Sequence, residues 1–142
     1  MSNRLSALLG LFFAAFLLSI MSACGHDQQL ESITVIPAVE TFGSTTTPVD
    51  LDAAAQVQLR ALGSYIHPPV TKDITNQVTW TSNTPDMVTV TSTGLIMPTG
   101  LACGGTIISA TVVTNHSDGA ISSTGALVTG SMTANVVCFT GQ

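Results

Sequence analysis

The feature that most constrains this chain is a series of short runs in which apolar residues alternate with threonine, serine or glutamine. In residues 77–82, Val78 and Trp80 alternate with polar side chains, and residues 32–37 and 87–91 repeat the pattern. A two-residue period puts successive side chains on opposite faces of a strand, so each run predicts a strand with one buried face. Between residue 24 and the last residue there are 21 Thr and 10 Ser among 119 residues, so hydroxyls replace charges on the solvent side.

Seven such runs, separated by turn residues and without a convincing helix, predict an all-β fold. We expect a seven-stranded, antiparallel β-sandwich of immunoglobulin type, with Trp80 as the core anchor between its two sheets. The predicted strands are residues 32–37, 55–62, 77–82, 87–91, 94–97, 106–114 and 131–139.

The amino-terminal segment has the order of an export signal. Arg4 and the amino terminus give a positive start, residues 5–21 are almost entirely apolar, and two small residues then precede Cys24. Residues 21–24 resemble the bacterial lipobox, whose cysteine receives diacylglycerol, although Met21 replaces the usual leucine. The resemblance implies a membrane anchor through lipid on Cys24.

This interpretation divides the chain into a lipoprotein signal peptide (1–23), a lipidated tether (24–31) and one domain (32–142). It predicts a cell-envelope location, at the outer membrane or cell surface, and Gly25 after the cysteine agrees with outer-membrane sorting. Two alternatives remain. The apolar run of residues 5–21 is near the lower limit for a spanning helix and could be an uncleaved anchor. Cleavage elsewhere would leave Cys24 as an ordinary thiol.

Three motifs in order make the domain similar to the bacterial Ig-like group 2 (Big2) family. They are Val78-Thr79-Trp80 with the run to Val90, then Thr93-Gly94-Leu95-Ile96, then Gly104-Gly105-Thr106 with the run to Ala110. Residues 33–37 also match the opening strand of that family. The resemblance covers roughly residues 32–139 and implies a module of adhesins and cell-surface proteins that acts as a spacer or binds proteins. Cys103 and the long stretch 62–75 depart from the pattern.

Two cysteines remain once Cys24 is assigned to lipid. In a hairpin register that pairs Ala110 with Ser131, Cys103 faces Cys138, and an exported chain permits oxidation. We therefore predict a Cys103–Cys138 disulfide. A two-cysteine metal or redox site is the alternative, but it lacks Cys-x-x-Cys spacing and a nearby histidine.

Charge and motif content argue against several function classes. After residue 23, two cations face eight carboxylates, a net charge of −6, which disfavours nucleic acid as a partner. The histidines are scattered without metal-ligand spacing, and Asp50 with Asp52 falls short of the six to eight oxygens that calcium needs. No nucleophile elbow, phosphate loop or dinucleotide motif occurs. We predict no enzyme, no metal and no cofactor.

Three functional hypotheses remain. The first is a non-catalytic protein-binding, adhesion or spacer module, whose partner is another envelope or surface protein. The second is a carbohydrate-binding module, with Tyr65 as the sole loop aromatic available to a glycan. The third is a structural subunit that assembles by pairing exposed edge strands.

Overall fold

The computed structural model describes residues 28–43, 55–115, 121 and 125–137. These residues form ten strands with no α-helix among them, so the all-β prediction is confirmed and the count of seven strands is corrected. The strands are β1 (Gln29–Ile36), β2 (Val39–Phe42), β3 (Val57–Gln58), β4 (Arg60–Ile66), β5 (Val70–Asp73), β6 (Thr79–Ser82), β7 (Val88–Val90), β8 (Leu95–Pro98), β9 (Gly104–Thr114) and β10 (Ala126–Val136).

Two layers pack face to face. One is a four-stranded sheet in the order β2-β10-β9-β6. The other combines the sheets β1-β4-β5 and β3-β8-β7, which are joined because β3 and β4 are consecutive segments interrupted at Leu59. The Leu59 amide donates to the carbonyl of Gly94 at 2.8 Å, which holds this junction to the turn before β8. The arrangement is consistent with an immunoglobulin-like β-sandwich.

The core lies between the layers and follows the alternation in the sequence. In β9 the even-numbered residues from Thr106 to Thr114 are buried, and in β10 the even-numbered residues from Gly130 to Val136 are buried. Other layer residues Leu59, Val88 and Ile96 are fully buried opposite them. Burial of these apolar side chains contributes roughly 1.5–3 kcal/mol each relative to exposure. The period-two pattern therefore sets which face of each sheet turns inward.

Two strands, β2 and β5, fall outside the predicted strands for reasons visible in their side chains. β2 is a short edge strand that pairs in parallel with β10, and Phe42 is its only buried residue. β5 is exposed at all four positions, so it has no apolar alternation. The stretch 62–75, which departs from the family pattern, contains the β4–β5 hairpin.

The boundaries of the first and last strands also shift. β1 begins at Gln29, within the range assigned to the tether, and ends before Pro37. β10 runs over Ala126–Val136, five residues earlier at its start than the predicted strand 131–139.

The backbones of β1 and β10 approach each other closely at Gly130. An ideal Cβ at Gly130 would lie 2.4 Å from the carbonyl oxygen of Ile33, which leaves no room for a side chain. Glycine is required here by the close approach of a second backbone.

Candidate functional site

The outer face of the β2-β10-β9-β6 sheet carries a regular array of hydroxyl groups, which we call the hydroxyl face. Cross-strand pairing sets Thr79, Thr111 and Thr129 in one row across β6, β9 and β10. The next row contains Thr81, Ser109 and Ser131 in the same strand order. The remaining hydroxyl residues of the face are Thr133 on β10 and Thr41 on β2.

The array arises from the same alternation that builds the core. Residues at odd positions of β9 and β10 point away from the buried even positions, because side chains alternate between the faces of a strand. Thr111 Oγ1 and Thr129 Oγ1 lie 3.3 Å apart, a hydrogen bond between directly opposed side chains of neighbouring strands. Such Thr–Thr pairs are typical cross-strand contacts and leave further lone pairs and a proton for an external partner.

The hydroxyl face has no charged side chain among its described positions. The charged residues of the described chain lie elsewhere: Glu31, Glu40, Arg60, Lys72, Asp73 and Asp86. Glu40 is on β2, but it lies between Val39 and Thr41 and so belongs to the other side of that strand. The strands of the β3-β8-β7 sheet also carry no charged residue, so the contrast is with the β1-β4-β5 sheet, whose outer side carries the Arg60–Asp73 ion pair.

A shallow groove of about 460 Å³ lies at one end of the face, beside Ile107 and Thr133. Ile107 remains 45% exposed, and Val39, which pairs with Thr133, is 58% exposed. The other lining residues are Asn83, Thr84, Gly105 and Thr106. The groove thus combines the exposed aliphatic side chain of Ile107 with neutral hydrogen-bonding groups, and Val39 lies outside its lining, in the same row as Ile107.

The second groove, of about 400 Å³, lies on the other layer beside an ion pair. Arg60 Nη2 and Asp73 Oδ2 are 2.9 Å apart and both side chains are exposed. Asp73 also accepts from the hydroxyl and the amide of Thr75, and these bonds, with Arg60, hold its pKa down at about 2. The carbonyl of Thr75 in turn accepts from Trp80 Nε1 at 3.0 Å, so this polar cluster orders the segment beside the core.

Trp80 lies in the core, 8% exposed, on β6. An ideal Cβ at Gly94 would lie 3.0 Å from two of its ring atoms, and Gly94 has φ +83°. Glycine therefore permits both the left-handed backbone of the turn and the close approach of the indole ring.

The predicted β9–β10 register is wrong by one residue. Ala110 pairs with Gly130, not with Ser131. Directly opposed residues of an antiparallel pair point to the same face, so only the observed register puts Ala110 and Met132 on the buried side together. Continued by one step, this register would set Val137, rather than Cys138, opposite Cys103.

The three cysteines differ in what the structure describes. Cys103 is exposed, lies directly before β9 and is disulfide-bonded. Cys24 and Cys138 lie outside the described residues, so the pairing of Cys103 with Cys138 and the lipidation of Cys24 stay predictions.

Tyr65, the loop aromatic considered for glycan binding, lies on β4 and is half-buried. Burial raises the pKa of its phenol, and the Lys72 ammonium lies 4.9 Å from the ring centroid. One ring face is therefore already occupied, which disfavours stacking of a sugar there. His67 is exposed in the turn after β4, whereas His26, His116, Asp50 and Asp52 lie outside the described residues.

The described chain has neither a cluster of metal-ligating side chains nor a helix that could span a membrane. No group of three or more His, Cys, Asp or Glu is placed to hold a metal ion within residues 28–43, 55–115, 121 and 125–137. In that same part of the chain, no helix has the length and hydropathy to cross a bilayer.

The hydroxyl face was missed in the sequence because each hydroxyl was interpreted only as a solvated position. The signal was present as Thr-x-Thr in β6, Ser-x-Thr in β9 and Thr-x-Ser-x-Thr in β10, and strand adjacency converts it into an array.

In comparisons with known proteins, the family model of the bacterial Ig-like domain (group 2) matches residues 38–122. No curated protein matches the chain significantly.

Proposed function

The chain belongs to the family of bacterial Ig-like domains (group 2), and from this membership we propose that it is a non-catalytic, membrane-anchored envelope module that binds another envelope or surface protein. Membership of this family indicates a non-catalytic surface or adhesion module. The finer proposal adds the anchor, at Cys24, and the contact surface, which is the hydroxyl face.

The proposal that the hydroxyl face is the contact surface is supported by the absence of charged side chains at its described positions. Protein interfaces are depleted of charged residues at their centres, because desolvating an unpaired charge costs more than a neutral hydrogen bond returns. Hydroxyl groups both donate and accept, and the aliphatic side chains of Ile107 and Val39 add apolar area at one end. The proposed partner therefore presents a neutral, hydrogen-bonding protein surface.

A matched pair of charge insertions tests the contact surface. Thr111→Glu places a carboxylate in the middle of the hydroxyl face, and Thr34→Glu places one on the outward side of β1 in the other layer. The full chain is used to capture proteins from envelope extract after chemical cross-linking. We expect Thr111→Glu to abolish the captured species and Thr34→Glu to retain it. Equal capture by both variants would contradict the proposal.

The anchor is tested separately by the mass of the mature amino terminus. We expect a chain that begins at Cys24 and carries diacylglycerol. Attachment through more than one acyl chain is stable, whereas a single chain gives only marginal membrane binding. An unmodified Cys24 would refute the anchor without touching the contact surface.

We also propose that the disulfide of Cys103 is made with Cys138. Both residues fall beyond the ends of their strands, and Gly104, with φ +125°, departs from extended geometry at the start of β9. The alternation of the ladder therefore does not dictate where these two side chains point. In the chain-entropy model such a loop contributes roughly 3–4 kcal/mol. A non-reduced peptide map should contain the linked pair, and free thiols at both positions would refute it.

Assembly through edge strands is the second candidate, favoured by β5. All four of its residues are exposed, and among the described strands it pairs with β4 alone. A free strand edge can pair with another chain. Concentration-dependent oligomers that persist in Thr111→Glu would favour this function over the first.

A further inference from the structure

The structure brings three segments together at the end of the sandwich where the chain enters it, which we call the tether end. Gln29, the first residue of β1, pairs with Ile66 at the end of β4, and Tyr65 pairs with Val70 across the following turn. The end of β9 and the start of β10 meet where Thr114 pairs with Ala126.

The Gln29–Ile66 pair and the Thr114–Ala126 pair lie at the same end of the sandwich because β1 and β10 run in the same direction. Ile33 of β1 lies against Gly130, and Val39, six residues further on, pairs with Thr133 in a parallel ladder. Earlier residues of β1 therefore lie toward earlier residues of β10. Gln29 is thus at the level of Ala126, where β10 begins, not at the level of Val136.

The tether end has exposed aliphatic side chains from two of its three segments. Leu127, on β10, is 67% exposed, and Val70, the first residue of β5, is 37% exposed. Ile121, which bridges to Thr114, is 39% exposed. Transfer of each of these side chains from water to an apolar environment would lower the free energy.

A cation accompanies these side chains. Lys72 donates from Nζ to the side-chain oxygen of Gln28 and lies over the Tyr65 ring. The described carboxylate nearest in sequence to this end of β1 is Glu31, while Asp73 is already paired with Arg60. Tyrosine and lysine are residues that membrane interfaces favour, with the ring or stem near the hydrocarbon and the polar tip at the headgroups.

The length of chain before β1 decides what can reach this end. Four residues lie between Cys24 and Gln29, which are five steps apart, and an extended chain spans at most about 3.3–3.6 Å per step, or about 18 Å in all. If Cys24 carries lipid, Gln29 therefore lies within about 18 Å of the lipidated residue.

We propose that the tether end rests on the membrane, with Leu127, Val70 and Ile121 in contact with lipid and Lys72 at the phosphate groups. The inference rests on the proposed anchor at Cys24. It fixes the orientation of the domain, with the strands running away from the bilayer and the groove beside Ile107 at the distant end. A second chain or a soluble ligand on this end is excluded if lipid covers it.

The experiment uses the full chain, purified with its native lipid and placed in phosphatidylethanolamine–phosphatidylglycerol nanodiscs that contain a gadolinium-chelate lipid. Methyl resonances of Leu127 and Leu101 are compared, because Leu101 is 79% exposed and precedes β9 at the other end of the sandwich. We expect the methyl signals of Leu127 and Val70 to broaden beyond detection and those of Leu101 to stay sharp. Leu127→Glu should restore the Val70 signals, whereas Leu101→Glu should not.

The outcomes separate the inference from the anchor on which it rests. Equal broadening at Leu127 and Leu101, in protein whose Cys24 is shown by mass to carry diacylglycerol, overturns the inference and leaves the anchor standing. An unmodified Cys24 overturns both. Unchanged tryptophan fluorescence of Trp80 verifies that each variant is folded.

Discussion

The two outer faces of the sandwich are built on similar inner faces and yet differ in chemistry. Behind the hydroxyl face, β9 and β10 bury Ile108 and Met132, and the opposite layer buries Val35 and Ile74. Outside, the hydroxyl face has only neutral side chains at its described positions, whereas the outer side of the β1-β4-β5 sheet carries the Arg60–Asp73 ion pair, and we call it the charged face.

The difference shows that different physical constraints act on the inward and the outward side chains of each strand. The inward side chains must be apolar and must fit, because packing in the core determines the stability of the fold. The outward side chains need only be soluble, and both charged residues and hydroxyls satisfy that need. A whole sheet face without charge is therefore not required by folding, which is the reason to look there for function.

The largest expected effect lies on the inward side of the hydroxyl-face sheet. Trp80→Ala removes a buried indole and its hydrogen bond to the carbonyl of Thr75, and should lower the free energy of unfolding by about 3–5 kcal/mol. Thr79→Ala, next to it but outward, should change the free energy by no more than about 0.5 kcal/mol. Urea denaturation measures both. Similar losses for the two variants would break the contrast between inner and outer side chains.

The next effect concerns the place where the two layers touch. Gly130→Ala puts a methyl group 2.4 Å from the Ile33 carbonyl oxygen and should cost about 1–3 kcal/mol, because backbone on both sides must move. Gly105→Ala is the matched control in the same sheet.

At Gly105 the new Cβ would approach only the side-chain oxygen of Asn135, at 3.2 Å, and that group can rotate away. Thermal or urea unfolding should therefore separate the two alanine variants clearly. If Gly130→Ala were as stable as Gly105→Ala, β1 would not lie against β10 as described.

Sequence periodicity was a reliable guide wherever one face of a strand is buried. The inward residues Trp80, Val88 and Ile96 all fall on predicted strands, because burial on one side leaves a two-residue pattern. β5 was missed because both of its sides are exposed, and no such pattern can then arise.

Long-range features needed strand pairing that a sequence does not state. The register of β9 against β10 follows from matching two buried sets, and a shift of one residue changes which face each side chain joins. Thr106 and Thr114 are buried although threonine was expected at solvent-facing positions, because they fall in register with the core. The hydroxyl face likewise exists only when β6, β9, β10 and β2 are set side by side.

A smaller effect, on the charged face, depends on pH. The pKa of Asp73 is lowered to about 2 by hydrogen bonds from Thr75 and by Arg60. A carboxylate with a depressed pKa in the folded state contributes stability above its unfolded pKa, near 3.8, and loses it as the pH falls toward 2. The free energy of unfolding relative to Asp73→Asn should therefore decline across that window.

Thr75→Val tests the cause of this dependence, since it removes the hydroxyl that donates to Asp73 while keeping a β-branched side chain. The decline between pH 4 and pH 2 should become shallower in this variant than in the wild type. The same decline in Asp73→Asn as in the wild type would show that another group is responsible.

The smallest effect on stability, and the one that most sharpens the comparison, is expected from Thr111→Val. The substitution keeps the shape and the strand preference of the side chain and deletes only the hydroxyl that meets Thr129 at 3.3 Å. Because that bond lies on the exposed side of the sheet, the free energy of unfolding should stay within about 0.5 kcal/mol of the wild type. Capture of the proposed envelope partner should nevertheless weaken, since an interface group that has lost its hydrogen-bond partner is left desolvated. Thr34→Val on the charged face deletes an exposed hydroxyl of the same kind and should leave capture unchanged. If capture instead falls equally for Thr34→Val and Thr111→Val, the neutral face has no special role, and the difference between the two faces reflects solubility alone.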